Sequence, residues 1–248
     1  MLHRRVTEYF GLLVLLAVAL ASLLHNLSAG SLPTFDDTTY ALISKTILRT
    51  GDWMTMRWLD VPYFYSGKPP LGFWFTGAFY KLVGISELTS RLSAAIYGIA
   101  GVLVVYFIGS LYSPRVGLTA SAFLLSLPDY FRLSQSAMLE IPLVLYISLS
   151  ILFYLLALGK QSSNWYCLSG ICIGLAIMTK GYGFGTFLGY RRLSPSRERT
   201  ESVIDPGNRR RANLRSTGRT PMAYLAISGV EILLSQTIFN WDALMGCF

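Results

Sequence analysis

The sequence predicts an all-α integral membrane protein, a polytopic helical bundle of about five transmembrane helices with interfacial helices in its first outer loop. Three observations carry that expectation. The 248 residues are 53% hydrophobic and only 14% charged, with a mean hydropathy of +0.48. Soluble domains carry about 25% charged residues, so a water-facing surface is under-supplied here. Uncharged apolar stretches long enough to cross a bilayer recur along the chain, and basic residues stand at alternate ends of them.

The elements follow in order. After a basic start, Leu2 to Arg5, an apolar run extends from Tyr9 to Leu24 and continues softly to Ala29. Arg4 and Arg5 before an apolar run also suit a cleaved signal peptide. The length of the run and the spans behind it favour an uncleaved helix. Holding those arginines inside places Ser31 onward on the outer side. Residues 30–90 form that outer loop, with the acids Asp36, Asp37, Asp52, Asp60 and Glu87 among Gly and Pro breakers. Thr34-Phe-Asp-Asp37 has a capping-box form and opens an amphipathic helix with Tyr40, Ile43 and Ile47 on one face. A second short helix is expected over Leu71 to Val83, and both are interfacial by length.

Leu92 to Tyr112 reads as the second span, ending at Ser113-Pro114-Arg115. Val116 to Pro128 is short for a crossing and reads either as a span or as a re-entrant segment. Ile141 to Gly159, a stretch of 19 residues without a charge, and Trp165 to Thr179 complete the five. Arg4, Arg5, Arg115 and Lys160 then all fall inside.

The net charge of +8 and pI near 9.5 raise nucleic-acid binding as an alternative. The charge distribution excludes it, because nine of the sixteen arginines lie between Arg191 and Arg219. The excess belongs to one segment, not to a face of the whole chain. Cys167, Cys172 and Cys247 form no metal-ligand pattern.

Four places carry chemistry. Asp36 and Asp37 stand at a helix start, where the helix field favours an ionised carboxylate. They read either as caps or as a base able to take a proton from an attacking hydroxyl or amine. Lys68-Pro69-Pro70 lies among Tyr63, Phe64, Tyr65, Phe73 and Trp74. The prolines stiffen the chain around a cation that either snorkels or meets a lipid phosphate. Glu140 and Lys180 stand at the edges of apolar runs, where a charge is either a helix-end anchor or functional. Arg57, in the same outer loop, is a further candidate cation for phosphate.

Several motifs then occur in one order: Asp36-Asp37-Thr-Thr-Tyr40-Ala, Gly51-Asp52-Trp53, Pro62-Tyr63-Phe64, Gly67-Lys68-Pro69-Pro70-Leu71-Gly-Phe-Trp74, Ser86-Glu87, Arg91-Leu92, Leu139-Glu140-Ile-Pro142-Leu143 and Thr179-Lys180-Gly181. The set, over residues 5–187, resembles the polytopic glycosyltransferases of the GT-C class, related to protein O-mannosyltransferases and lipid A aminoarabinose transferases. The resemblance implies inverting transfer of a sugar from a polyprenyl-phosphate sugar to a lipid or protein acceptor. The transfer would occur at the non-cytoplasmic face of a multi-pass protein in the cell membrane. It implies catalytic roles for Asp36, Asp37 and Glu140, and lipid-phosphate binding by Lys68, Arg57 and Lys180. A divalent metal is compatible and not specified; membrane lipids are expected partners and nucleic acid is not. The chain departs from the family's pattern in four places. Asp37 replaces the usual Glu, Thr39 stands where the aminoarabinose branch has Arg, Gly67 where that branch has Glu, and Glu140 where Asp is usual. The rival reading is a non-enzymatic membrane protein, a fragment of a lipid or solute transporter.

Two segments result. Residues 1–188 match the N-terminal part of such a transmembrane domain, with its outer loop at 30–90. Residues 189–248 form a basic segment read as disordered or out of frame, since composition switches abruptly to Arg, Ser, Thr and Pro. On that reading the chain is a truncated, inactive copy; a genuine basic tail on anionic lipid is the competing account.

Overall fold

The computed structural model describes residues 2–59, 61–62 and 68–181, with side chains from residue 10 onward. The segment 189–248, the aromatic residues 63–65 and the side chains of Arg4 and Arg5 lie outside the described residues. Eight helices and a short ribbon make up the rest: α1 (Leu2–Leu24), α2 (Phe35–Thr50), β1 (Arg57–Trp58), β2 (Val61–Pro62), α3 (Leu71–Val83), α4 (Glu87–Ser110), α5 (Pro114–Ser126), α6 (Pro128–Ser134), α7 (Glu140–Lys160) and α8 (Ser163–Lys180).

The predicted helices are present, with boundaries moved by local chemistry. α2 starts where the capping box placed it: the Thr34 hydroxyl accepts from the Asp37 amide at 3.2 Å. Its predicted inner face, Tyr40, Ile43 and Ile47, is buried. α3 has the predicted bounds. α4 begins at Glu87 rather than Leu92, because the Ser86 hydroxyl caps it by accepting from the Thr89 amide at 3.1 Å. An apolar run marks where a helix becomes greasy, not where its backbone starts to coil. The ribbon pairs Arg57 with Pro62 and Trp58 with Val61, a strand element that a purely helical reading does not anticipate.

Among the described residues, α4 and α7 are long and apolar enough to cross a membrane, and α1 contributes the shorter apolar stretch Phe10–Leu24. The stretch Val116 to Pro128 is not one continuous helix. Leu127 precedes a proline, whose ring disfavours helical backbone at the residue before it, and it takes φ −70°, ψ 122°. α5 therefore stops after 13 residues, about 20 Å, and α6 restarts at Pro128. Together they run back along α4. Gly117 meets Gly109 near one end of α4, and farther along it the Tyr130 hydroxyl donates to the Gly98 carbonyl at 2.7 Å.

Helices pack closely through small residues and buried hydroxyls. The Ser169 hydroxyl of α8 donates to the Ser150 carbonyl of α7 at 2.9 Å, and Ser150 donates back to the Ser169 carbonyl at 3.1 Å. Tyr97 of α4 and Tyr146 of α7 share a hydroxyl contact of 2.9 Å. The main core lies between these elements, built from Val102, Val105, Ile147, Ile151 and Leu155 with Leu15 and Ala19 of α1. A second, smaller cluster of Tyr40, Ile43, Ile47, Met56, Phe73 and Leu139 sits under the α2–α3 layer.

Helix order puts the C-terminal ends of α1 and α8 and the N-terminal ends of α2, α4 and α7 at one end of the bundle. Arg115 and Lys160 are at the other.

The Gly109–Gly117 seam allows a stability test. A Cβ on Gly109 would lie 2.7 Å from the Gly117 Cα and 2.8 Å from its nitrogen, both backbone atoms that cannot swing away. Gly109→Ala is expected to destabilise the detergent-solubilised protein by about 1–3 kcal/mol, the usual range for overpacking. Thermal unfolding checks it, and an unchanged midpoint would show that the two helices can separate freely.

Candidate active site at one end of the bundle

The two adjacent acids of α2 have different surroundings. Asp37 is 1% exposed. Its Oδ2 accepts from the Thr34 hydroxyl at 2.7 Å, and its Oδ1 accepts from the Ala137 amide, 100 residues away, at 2.9 Å. Both oxygens are occupied by structural donors. Asp36, one residue earlier and about 100° around the helix, is half-buried and has no side-chain hydrogen bond among the described residues. One acid is a tie between elements and the other is chemically open.

Tyr40, one turn on, is the floor of the site. Its ring meets Phe73 edge-on with centroids 5.6 Å apart, and the Lys68 ammonium stands 4.5 Å from its centroid. Lys68 immediately precedes Pro69-Pro70, which lead directly into α3. Leu139 packs into the same cluster and lies against Gly72, where a larger residue would displace it. The Trp74 indole donates to the Trp53 carbonyl, fixing the start of α3 against the loop after α2.

Leu139 leads into Glu140, the first residue of α7. Glu140 Oε1 accepts from the Lys180 ammonium at the last turn of α8, so the two helix-edge charges form one ion pair. Lys180 is 7% exposed, and Glu140 Oε2 is buried without a hydrogen-bond partner among the described residues. The pair is sited well electrostatically: an acid at a helix N-terminus faces a cation at a helix C-terminus.

Lys68 and the Glu140–Lys180 pair therefore lie about the Tyr40–Leu139 cluster, at the same end of the bundle as Asp36 and Asp37. Arg57, in β1, lies 3.5 Å from Asp52. Amides of Thr55 and Met54 donate to Asp52, and the Thr55 bond is the main reason its carboxyl is held below the usual range. Among the described residues, no three His, Cys, Asp or Glu side chains gather as a metal site.

Two residues given no role from sequence support this end. Arg91 of α4 is 6% exposed and donates to four carbonyls of the α1–α2 turn: Leu27 at 2.9 Å, Ala29 at 2.7 Å, Gly30 at 3.0 Å and Ser31 at 2.8 Å. The Gln135 amide donates to the carbonyls of Ser22 at 3.0 Å and His25 at 3.1 Å, capping the end of α1. A signal for Arg91 is present: an arginine at the edge of an apolar run is expensive unless its donors find acceptors, and here both terminal nitrogens do while Nε is buried without a partner among the described residues. Gln135 gives no comparable signal.

A helical bundle with this acid–cation end resembles the membrane glycosyltransferases of the GT-C class, and the comparisons with known proteins point the same way. Residues 67–189 match the family described as dolichyl-phosphate-mannose-protein mannosyltransferase. The undecaprenyl phosphate-alpha-4-amino-4-deoxy-L-arabinose arabinosyl transferase of Yersinia pestis (strain Pestoides F) is 28% identical over 155 residues, 59% of this chain and 27% of that protein. The chain thus spans about a quarter of the length of the curated relatives it matches. In fold it is similar to the crystal structure of ArnT from Cupriavidus metallidurans bound to undecaprenyl phosphate, with a TM-score of 0.67, 23% identity and coverage of 91% of this chain and 41% of that one. It is also similar to the S. cerevisiae protein O-mannosyltransferase Pmt1–Pmt2 complex bound to the sugar donor, with a TM-score of 0.63, 17% identity and coverage of 94% and 32%.

The ion pair yields a prediction. Lys180→Met strands a partly buried carboxylate and is expected to destabilise the protein by about 2–3 kcal/mol, under the usual 3–5 for a buried pair because Glu140 is one quarter exposed. Glu140→Leu combined with Lys180→Met should recover most of that loss. A double variant no more stable than Lys180→Met alone would show that the pair is not a unit.

Proposed function

We propose that the protein transfers a sugar from a polyprenyl-phosphate sugar to a lipid or protein acceptor, at an active site on the non-cytoplasmic face of a membrane crossed by about five helices of this chain. The observation that carries the reading is the contrast within the acid pair. Asp37 is consumed by two structural hydrogen bonds, while Asp36 makes none among the described residues, at the bundle end that also carries Lys68 and the Glu140–Lys180 pair. The family match over residues 67–189 and the names of the curated relatives support the donor class.

In this reading Asp36 is the general base. It takes the proton of the acceptor hydroxyl or amine as that atom attacks the anomeric carbon. The bond from that carbon to the phosphate oxygen breaks on the opposite face, so configuration inverts and the lipid phosphate leaves with the electron pair. Lys68, steadied over the Tyr40 ring and by two prolines, stabilises the charge on the departing phosphate. Arg57 and Lys180, each beside an acid, add positive potential around that head group. Glu140 holds Lys180 in place, and Asp37 sets the start of α2. A transporter would place polar or broken helices at the bilayer midplane around a solute. Here the charged groups cluster at one bundle end, which favours the transferase.

Asp36→Asn should reduce transfer from a radiolabelled polyprenyl-phosphate sugar by about 10²- to 10⁴-fold, the range for loss of a general base, with membrane insertion unchanged. Near-normal transfer would remove Asp36 from the mechanism. Lys68→Ala should raise the dissociation constant for polyprenyl phosphate by about tenfold or more, as expected for loss of a charge-assisted contact, while leaving the unfolding midpoint nearly unchanged. Unaltered lipid-phosphate affinity would end the assignment of Lys68.

A further inference from the structure

We infer that Arg91 is the positioning residue for Asp36: its guanidinium grips the backbone of residues 27–31 and so sets the register from which the acid pair is presented. The inference rests on the reading of Asp36 as the acceptor-side acid, and its geometry is independent of it. The turn between α1 and α2 has little of its own to hold it. Asn26 and Gly30 both take left-handed backbone, at φ 60° and 67°, and one backbone bond, Ala29 amide to Asn26 carbonyl at 3.1 Å, closes it. Four carbonyls of this turn then point at one planar fork, two to each terminal nitrogen, at 2.7–3.0 Å. A guanidinium fits such an array because its donors are fixed in a plane; an ammonium offers three donors from one point and cannot reach four spread acceptors. Arg91 itself cannot drift, since it is rooted in the second turn of α4 behind the Ser86 cap.

The geometry reaches Asp36 through a short chain of fixed parts. Ser31, the last gripped residue, is three residues before the Thr34 cap and five before Asp36. Beyond Asp36 the backbone is fixed again, by the Asp37 Oδ1 bond to the Ala137 amide. Asp36 thus lies between two clamps, one from α4 and one from the segment before α7, and makes no side-chain hydrogen bond of its own among the described residues. If the α4 clamp is released, the second clamp must hold the turn alone, and the Asp37–Ala137 bond should loosen with it. A residue that merely anchors a local turn would not move that distant bond.

The test uses the whole chain in detergent micelles or nanodiscs, comparing Arg91, Arg91→Lys and Arg91→Gln by amide hydrogen exchange. The amides to follow are Ala29, Asp37 and Ala137, with α7 and α8 interior amides as the reference. Hydrogen bonds to a charged group contribute about 1.5–3 kcal/mol, so exchange at all three should quicken by roughly 10- to 100-fold in Arg91→Gln and by less in Arg91→Lys. The α7 and α8 interior amides should be unchanged. In parallel, a spin label at Asp36→Cys, in a chain whose three cysteines are replaced by serine, should pass from a restrained to a mobile lineshape when Arg91→Gln is added. Quickening at Ala29 alone, with Asp37, Ala137 and the label unmoved, overturns the inference, because Arg91 then anchors only its turn. Quickening through α7 and α8 as well also overturns it, because the residue then holds the bundle together. Neither readout depends on transfer, so loss of the Asp36 base assignment in the Asp36→Asn assay leaves this result standing or falling on its own.

Discussion

The bond from the Ala137 amide to the Asp37 carboxylate is the interaction on which the polar end of this protein depends. It joins the start of α2 to the segment between α6 and α7 in surroundings where water cannot stand in for a missing partner. A buried carboxylate is costly to leave unpaired, so the sequence supplies a second donor, the Thr34 hydroxyl, on its other oxygen. Once Ala137 is placed, Leu139 must enter the Tyr40–Phe73 cluster, and Glu140 opens α7 at a point where Lys180 can meet it. One side chain thereby ties the start of α2 to the approach to α7, where Lys180 of α8 meets Glu140.

The same constraint separates two residues that look equivalent in the sequence. Adjacent positions on a helix point about 100° apart, so when Asp37 turns inward to the Ala137 amide, Asp36 turns along the half-buried edge. Their division of labour follows from that rotation and from nothing in the side chains themselves. Lys68 gains its place in a comparable way: Pro69 and Pro70 limit the backbone, and the Tyr40 ring offers its face.

Away from this end, the bundle is built as a membrane environment demands. Apolar burial does little to drive two helices together when lipid is as apolar as they are, so close backbone approach and buried hydroxyl pairs take over. Gly109 against Gly117, Tyr130 on Gly98 and the reciprocal Ser150–Ser169 bonds are such devices. Phe10, Leu13, Val18, Phe123 and Ile171 remain exposed on the outside, as side chains that face lipid should.

What the sequence determined by itself is local or periodic. Its low charge and long apolar runs set the membrane class and the helical architecture, because bilayer thickness and backbone hydrogen bonding leave few other forms. The Thr34 capping box fixed the start of α2, the Tyr40–Ile43–Ile47 spacing fixed its inner face, and α3 took its predicted bounds because Pro70 and Gly84 bracket a short apolar run. The ordered motifs named Asp36, Asp37, Lys68, Glu140 and Lys180 as candidates without saying which of them meet. Tertiary structure decided the rest, because it turns on contacts between residues 40 to 113 positions apart. These include the division of roles between Asp36 and Asp37, the joining of Glu140 to Lys180, and the grip of Arg91 and Gln135 on the end of α1 and the turn that follows it. Among the described residues, α4 and α7 are long and apolar enough to cross a membrane on their own. A sequence states which donors and acceptors exist, and only the packed fold states which of them meet.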